Sequence, residues 1–316
     1  KAIRRQRQMC IRDRSENEYF SDAERLDFSG MKKILESPVK YWFNSRLNPL
    51  YEEKTSPAML AGKMWHSYIL EPENFYKKYC VMPDEIDNLS KNSKDYKKWR
   101  DLQTKEVLTP SEFNEMYFII QYLKTKGQIF DDNIFTGGYS EVSIFFTYQD
   151  IKCKARIDYL RLKQLIDLKT VASVGDFDDY CRLFFIKYKV YIQLYFYCEA
   201  INAAKSFDNS QVFGDKKQVE FWHELKQQED ISPYVCYVSR IVPEASLRAF
   251  MPGACPDLYR LAAGEVKKAL DVYKFYCREY GLNRAWLGKK DYLSVLKDED
   301  FPQLFFKILE VSEYER

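Results

Sequence analysis

The chain has 316 residues, 46% of them apolar, with 25 Tyr, 22 Phe and a formal net charge of +2. That is enough to bury one large core or two small ones, no apolar run approaches the length of a membrane span, and the near-neutral balance leaves any affinity for nucleic acid to a local patch. The eight cysteines are scattered without a C-x-x-C pair, which argues against zinc or a cysteine-held iron–sulfur cluster and for reduced thiols in a cytosolic protein.

In chain order, Arg4 to Arg14 (RRQRQMCIRDR) reads as the translation of a sequencing-library adapter. The expectation is that residues 1–14 are an assembly artefact or a disordered leader in place of the natural start. A basic tail that touches nucleic acid is the alternative. These residues hold six Lys or Arg and one Asp, so without them the formal charge becomes −3. The N-terminus lacks the apolar stretch of a signal peptide. Ser29 to Ser45 predicts a helix broken at Pro38. Met59, Trp65, Tyr68 and Ile69 fall at helical spacing, with His66 four residues after Gly62. Residues 82–111 read as a polar loop followed by a solvated helix. Its lysines, Lys91, Lys94, Lys97, Lys98 and Lys105, are either phosphate contacts or a solvated face. Glu112 to Lys126 predicts a further helix, ending near Gly127.

Gly137 and Gly138 open a sheet, and Glu141 precedes an apolar run that turns near Asp150. From Lys152 to Tyr159, polar and apolar residues alternate as in a half-buried strand, with Asp158 on the polar side. A polar turn at 161–164 leads into a second strand, Leu165 to Thr170. There Asp167 and Lys169 share one face while Ile166 and Leu168 pack behind it. The hairpin would set Asp158 beside Asp167, a repulsive pair unless a divalent cation lies between them. A lysine on the same face could orient a water held by that cation. Helices follow at Phe177–Phe185 and Lys187–Ala203. In the second, Gln193 and Tyr197 lie four apart on one face and the other aromatics read as core. His223 reads as structural or surface. Pro233 to Pro243 predicts a late strand and Ala262 to Tyr280 an amphipathic helix. Trp286 and the closing segment carry no signal. No repeat, low-complexity tract or linker divides the chain.

The order Asp158, then Asp167-Leu168-Lys169, then Gln193-x-x-x-Tyr197 resembles the PD-(D/E)XK nucleases, in the branch with a Q-x-x-x-Y helix. The wording ARIDYL, IDLKT and YIQLYFY is most similar to the phage and prophage exonuclease VIII (RecE-like) exodeoxyribonucleases. Asp-x-Lys alone is a weak signal; the ordered set on strand, strand and helix is specific. The resemblance covers Ser29 to Trp286. It implies an α/β protein with a restriction-endonuclease-like core, a central mixed β-sheet flanked by helices with helical N- and C-terminal decoration. One domain, 15–316, would hold a helical N-terminal part to about 135, a catalytic core over about 136–243, and a helical C-terminal part.

The same resemblance implies hydrolysis of phosphodiesters from duplex DNA ends, 5′ to 3′, with Mg²⁺ or Mn²⁺. Asp158, Asp167 and the Leu168 carbonyl would hold the metal, and His66 of the Gly-x-x-x-His segment would reach a second ion. Lys169 would position the attacking water, and Gln193 and Tyr197 would orient the lysine or the DNA end. Glu141 matches a family glutamate; it either assists at the metal or the DNA, or is a plain strand-end carboxylate. A ring-shaped homo-oligomer and a single-strand annealing partner in phage-type recombination are implied as well. The rival readings are a catalytically inactive DNA-binding or assembly protein of the same fold, and another RecB-like nuclease. The intact Asp-x-Lys speaks against the first; the lack of helicase motifs and of a cysteine cluster speaks against the second.

Overall fold

The computed structural model describes residues 10–12, 16–53, 56–125, 134–172, 175–208 and 211–287. The chain starts with a short strand, β1 (Cys10–Arg12), and helix α1 (Glu16–Ser21), followed by α2 (Phe28–Glu36) and α3 (Pro38–Phe43). Ser37 makes the expected break. The proline after it forces an extended backbone, and its hydroxyl accepts from the Lys40 amide to cap α3. Helix α4 (Pro57–Leu70) starts the same way, with Ser56 accepting from the Met59 amide and Pro57 in the first turn. Next come α5 (Pro72–Lys78), β2 (Tyr79–Val81), α6 (Asp84–Asp87), α7 (Lys94–Asp101) and β3 (Glu106–Leu108). Strands β2 and β3 pair in parallel as a two-stranded ribbon beside the main sheet. Three residues are too few for a two-residue alternation to show, so β3 was not expected within 82–111. Helix α8 (Pro110–Thr125) matches the predicted one, and Gly127 lies outside the described residues.

The central meander is β4 (Gly138–Tyr148), β5 (Ile151–Arg161) and β6 (Gln164–Val171), paired antiparallel. Gln149 and Asp150, between β4 and β5, both have left-handed backbones, φ 47° and 63°. That is a two-residue primed turn, whose twist suits the strands it joins. Then follow α9 (Phe177–Lys187), α10 (Val190–Ala204), β7 (Val212–Phe213), α11 (Lys216–Lys226), β8 (Ser232–Ser239), β9 (Ala245–Ala249) and α12 (Pro256–Tyr280). The sheet order is β7-β1-β4-β5-β6-β8-β9. β8 lies parallel to β6, reached by a crossover through α9, α10 and α11, while β9 returns antiparallel. Within the suspected leader, Cys10–Arg12 pair with β4 and β7, and the rest of 1–14 lies outside the described residues. This is the mixed α/β architecture expected from the sequence.

Two cores flank the sheet. On one face Phe146, Ile157, Leu165 and Val171 pack with α2, α10 and α12. On the other, Ile166, Leu168, Cys236 and Val238 pack with residues of α4, α5 and α8. α10 buries residues on every side, from Tyr191 to Ala204, which is why its apolar pattern shows no stripe. Trp286, silent in the sequence, is fully buried against Tyr41, Tyr273 and Tyr276, and its indole donates to the Gly281 carbonyl. It clamps the chain after α12 onto α3. Burial of such a side chain is worth about 1.5–3 kcal/mol.

Candidate active site

The alternation along β5 holds from Ile151 to Ile157, all facing one core, and then fails: Tyr159 joins the opposite core and Leu160 the first. The cause lies across the ladder. Glu141 adopts φ 54°, a left-handed backbone uncommon for a non-glycine residue and a local strain. The β4–β5 pairing skips it: Ser140 pairs with Tyr159 and Val142 with Ile157, leaving Glu141 and Asp158 facing one another without a ladder bond. Beyond Tyr159–Ile166 the ladder between β5 and β6 also stops, at the point where Asp158 would next oppose Asp167. The Asp158 carboxylate itself takes up the freed backbone donor, accepting from the Leu168 amide at 2.8 Å. The strands therefore fork, and the charged residues of all three line the fork.

Helix α4 packs on β6. Gly62 faces Thr170: a Cβ there would lie 3.7 Å from its hydroxyl oxygen, an ordinary van der Waals distance. One turn on, His66 reaches the fork, its Nδ1 3.8 Å from Asp158 Oδ2. One ligand atom each from His66, Glu141 and Asp158 lie within 4.8 Å of one another, a nitrogen and two carboxylate oxygens suited to a divalent cation. The fork fits the metal that the motif implies. Burial lowers the His66 pKa, with the Lys169 charge adding to it, so the imidazole stays neutral and keeps a lone pair to offer. Burial raises Asp158 and Glu141, and in Glu141 the Asp158 charge adds to the rise. This is the cost of holding carboxylates together without a cation.

Asp167 is 0% exposed, and Lys169 Nζ lies 2.7 Å from its Oδ2. Among the described residues, no donor is well aligned on either Asp167 oxygen. Burial, with Asp158 adding to it against the pull of Lys169, moves the Asp167 pKa up to about 6. For Lys169, burial alone would lower the pKa, but Asp167 and Asp158 outweigh it and the net shift is upward. The lysine is held as a cation.

From the opposite face α10 supplies Gln193 and Tyr197. Gln193 Nε2 donates to the Tyr197 hydroxyl at 2.8 Å. The phenol thus accepts from glutamine, and its own proton is free to point elsewhere. Burial, then Asp167 and Asp158, raises its pKa, so that proton stays on.

A cleft of about 720 Å³ opens over the fork, lined by His66, Glu141, Asp158, Gln193 and Tyr197 and by the lysines Lys63, Lys77, Lys78 and Lys105. Of the lysines singled out in the sequence only Lys105 lines it, and its Nζ donates to the Tyr76 carbonyl at 2.7 Å. Lys91, Lys94, Lys97 and Lys98 are exposed elsewhere. Two residues escaped the sequence reading. Arg156 holds Glu141, Nε to Oε2 2.5 Å, and reaches Ser143 at 3.2 Å. Its position two residues before Asp158, on the same strand face, was the available signal. Lys32 of α2 lies within electrostatic reach of Lys169: burial lowers its pKa and the Lys169 charge lowers it further against Glu36. No motif marks it.

A family model described as "PDDEXK-like domain of unknown function (DUF3799)" matches residues 27–219, more than half of the chain. The chain belongs to this family of PDDEXK-like domains. The matched span carries His66, Glu141, Arg156, Asp158, Asp167, Lys169, Gln193 and Tyr197, and ends within α11. A crystal structure from Eubacterium rectale, described as a "Putative exonuclease", aligns over 94% of this chain and 98% of its own with a TM-score of 0.52 and 16% sequence identity. At that identity the likeness speaks for the fold, and the PDDEXK-like chain shares it. No curated protein matches the sequence. Among the described residues no helix is long and apolar enough to cross a membrane.

Proposed function

We propose that this PDDEXK-like chain is a metal-dependent exodeoxyribonuclease that hydrolyses phosphodiesters from the ends of duplex DNA. The observation that supports it most is the fork, which gathers His66, Glu141 and Asp158 as cation ligands against the buried Asp167–Lys169 pair. His66, Glu141 and Asp158 would hold Mg²⁺ or Mn²⁺, with Asp167 and the Leu168 carbonyl beside them. When bound, the cation supplies a Lewis acid and a more acidic water.

The protein's own part is positioning and charge. Lys169, kept protonated by two carboxylates, offers positive charge to the phosphate oxygens as negative charge develops on them during attack of water at phosphorus. The Tyr197 hydroxyl, fixed by Gln193, is placed to donate to a phosphate oxygen or to the water. Arg156 steadies Glu141 in its strained conformation. The exonuclease rather than endonuclease assignment rests on the resemblance of ARIDYL, IDLKT and YIQLYFY to the exonuclease VIII (RecE-like) enzymes. The description of the E. rectale protein points the same way. Digestion 5′ to 3′, a ring-shaped homo-oligomer, a single-strand annealing partner, a place in phage-type recombination and a cytoplasmic location belong to the same proposal.

The test is digestion of linear duplex DNA labelled at the 5′ or 3′ end, with Mg²⁺ and with EDTA, by the wild type and by Lys169→Ala. Metal-dependent nucleotide release by the wild type alone supports the nuclease, and the two labels give its polarity. A folded wild type that retains DNA on a gel but releases nothing would replace the proposal with the inactive DNA-binding reading.

A further inference from the structure

A second cavity, about 230 Å³, adjoins the cleft across the Glu141–Arg156 pair, which lines both. Its walls include Tyr139, Phe213, Phe221 and Trp222. The Tyr139 and Phe221 rings meet edge to face with centroids 5.0 Å apart. One polar donor borders the aromatic space. The Trp222 indole nitrogen is sealed from solvent and meets no acceptor among the described residues, so Trp222 offers the cavity its ring and not its N–H. Gln218 spends its carbonyl on the Asp215 amide at 2.8 Å, which leaves its NH₂ group to face another partner.

We infer that this cavity receives one unpaired nucleobase, that of the nucleotide whose phosphate lies in the cleft. The inference rests on the nuclease reading for the path of the strand. Aromatic walls stack on any base face, whatever the sequence. The volume falls below the roughly 300–1,000 Å³ of sites for drug-sized molecules, so it suits one base and not a base pair. The Gln218 NH₂ group complements the ring nitrogens or carbonyl oxygens that base edges present. A phosphate held at the fork lies next to this cavity, so the base of an unstacked nucleotide comes within reach of it. Glu141 would then stand between the two compartments, with its carboxylate at the phosphate and its strand at the base.

Phe213 is 46% exposed, so Phe213→Ala removes one wall without opening the core. Saturation-transfer NMR is recorded on the metal-free protein in EDTA, with dAMP and with 2-deoxyribose 5-phosphate as probes. In the wild type the adenine protons of dAMP receive saturation. In Phe213→Ala those signals are lost at unchanged thermal unfolding, and in Trp222→Phe, which shortens a side chain only 2% exposed, they weaken at equal concentration of folded protein. No signal from the base protons in the wild type, or equal signals in wild type and Phe213→Ala, overturns the pocket whether or not the protein cuts DNA. With Mg²⁺, the wild type releases the terminal nucleotide roughly 5- to 100-fold faster from an intact end than from one whose last nucleotide lacks its base. Phe213→Ala treats the two ends alike. Equal release by the wild type also overturns the pocket. Base-proton signals without cleavage of either end remove the nuclease reading and keep the pocket.

Discussion

Lys154 and Lys169 sit on neighbouring strands of one sheet, both recessed from solvent, and are held in opposite ways. Lys154 is buried on β5, where its ammonium donates to the Tyr19 and Asp22 carbonyls at 2.8 and 2.7 Å. Burial lowers its pKa against the pull of Asp27 and Asp22. Lys169 instead faces a sealed carboxylate that has no aligned donor, in a fork where three acidic groups and an imidazole crowd together. Where the chain closes on itself, a buried charge is matched by fixed backbone dipoles. Where it brings charges together that repel, burial and mutual repulsion shift their pKa values, as in an active site.

Removing each lysine should separate the two regions most sharply. Lys169→Ala should lower DNA cleavage per folded molecule by about 10²–10³-fold, the usual effect of deleting a charge-stabilising group. It should also lower stability in metal-free protein, because the sealed Asp167 loses its cation. Lys154→Met should leave cleavage per folded molecule unchanged and cost about 2 kcal/mol in denaturant unfolding, because two carbonyls lose a charged donor. A Lys169 variant that cleaves at the wild-type rate per folded molecule, or a Lys154 variant that is folded but inactive, would reverse the assignment.

Asp167 should make the fork's strain visible through pH. Its folded pKa, about 6, lies above the ordinary carboxylate value of about 4, so the folded protein binds more protons than the unfolded chain between them. The stability this residue contributes is complete below about pH 4 and is lost as pH rises through 6. In metal-free protein, Asp167→Asn should therefore gain on the wild type by up to about 3 kcal/mol between pH 4 and pH 8, measured by denaturant unfolding at each pH. Adding Mg²⁺ should shrink that gain, since a ligand that binds only the folded wild type stabilises it. A flat difference across this range would show that Asp167 is not strained.

The smallest effect concerns Glu141. Both Glu141→Ala and Glu141→Gly delete the carboxylate, but only glycine adopts φ 54° without penalty. The glycine variant should be more stable than the alanine variant by about 1 kcal/mol in thermal unfolding. Equal stabilities would mean that the left-handed backbone relaxes once the side chain is gone.

Much of this site was legible in the residue order. The alternation from Lys152 to Ile157 and the short turn after Arg161 put Asp158 and Asp167 near one another on paired strands, because strand period and hairpin register are local properties. The switch of Tyr159 to the other core and the end of the ladder before Asp158 were not legible. Gln193 and Tyr197 shared a face because they lie four apart on one helix. Arg156, Lys32 and the aromatic cavity of Phe213 and Trp222 were not legible. Each depends on elements far apart in sequence, and none follows from a local period. Glu141 stood between, named from the sequence with its role open, since no propensity predicts a left-handed glutamate.

By itself, then, the sequence determined strands β4, β5, β6 and β8, helices α2, α3, α4, α8, α9, α10 and α12, and the ordered set Asp158, Asp167-Leu168-Lys169, Gln193 and Tyr197, because periodicity acts over a few residues. Only the tertiary structure decided that His66, 92 positions before Asp158, comes within 3.8 Å of it. It also decided that Asp167 loses all contact with water and that Glu141 turns its backbone to face Asp158. Burial and electrostatic coupling belong to the packed molecule, and they turn a string of ordinary polar residues into a strained, cation-ready fork.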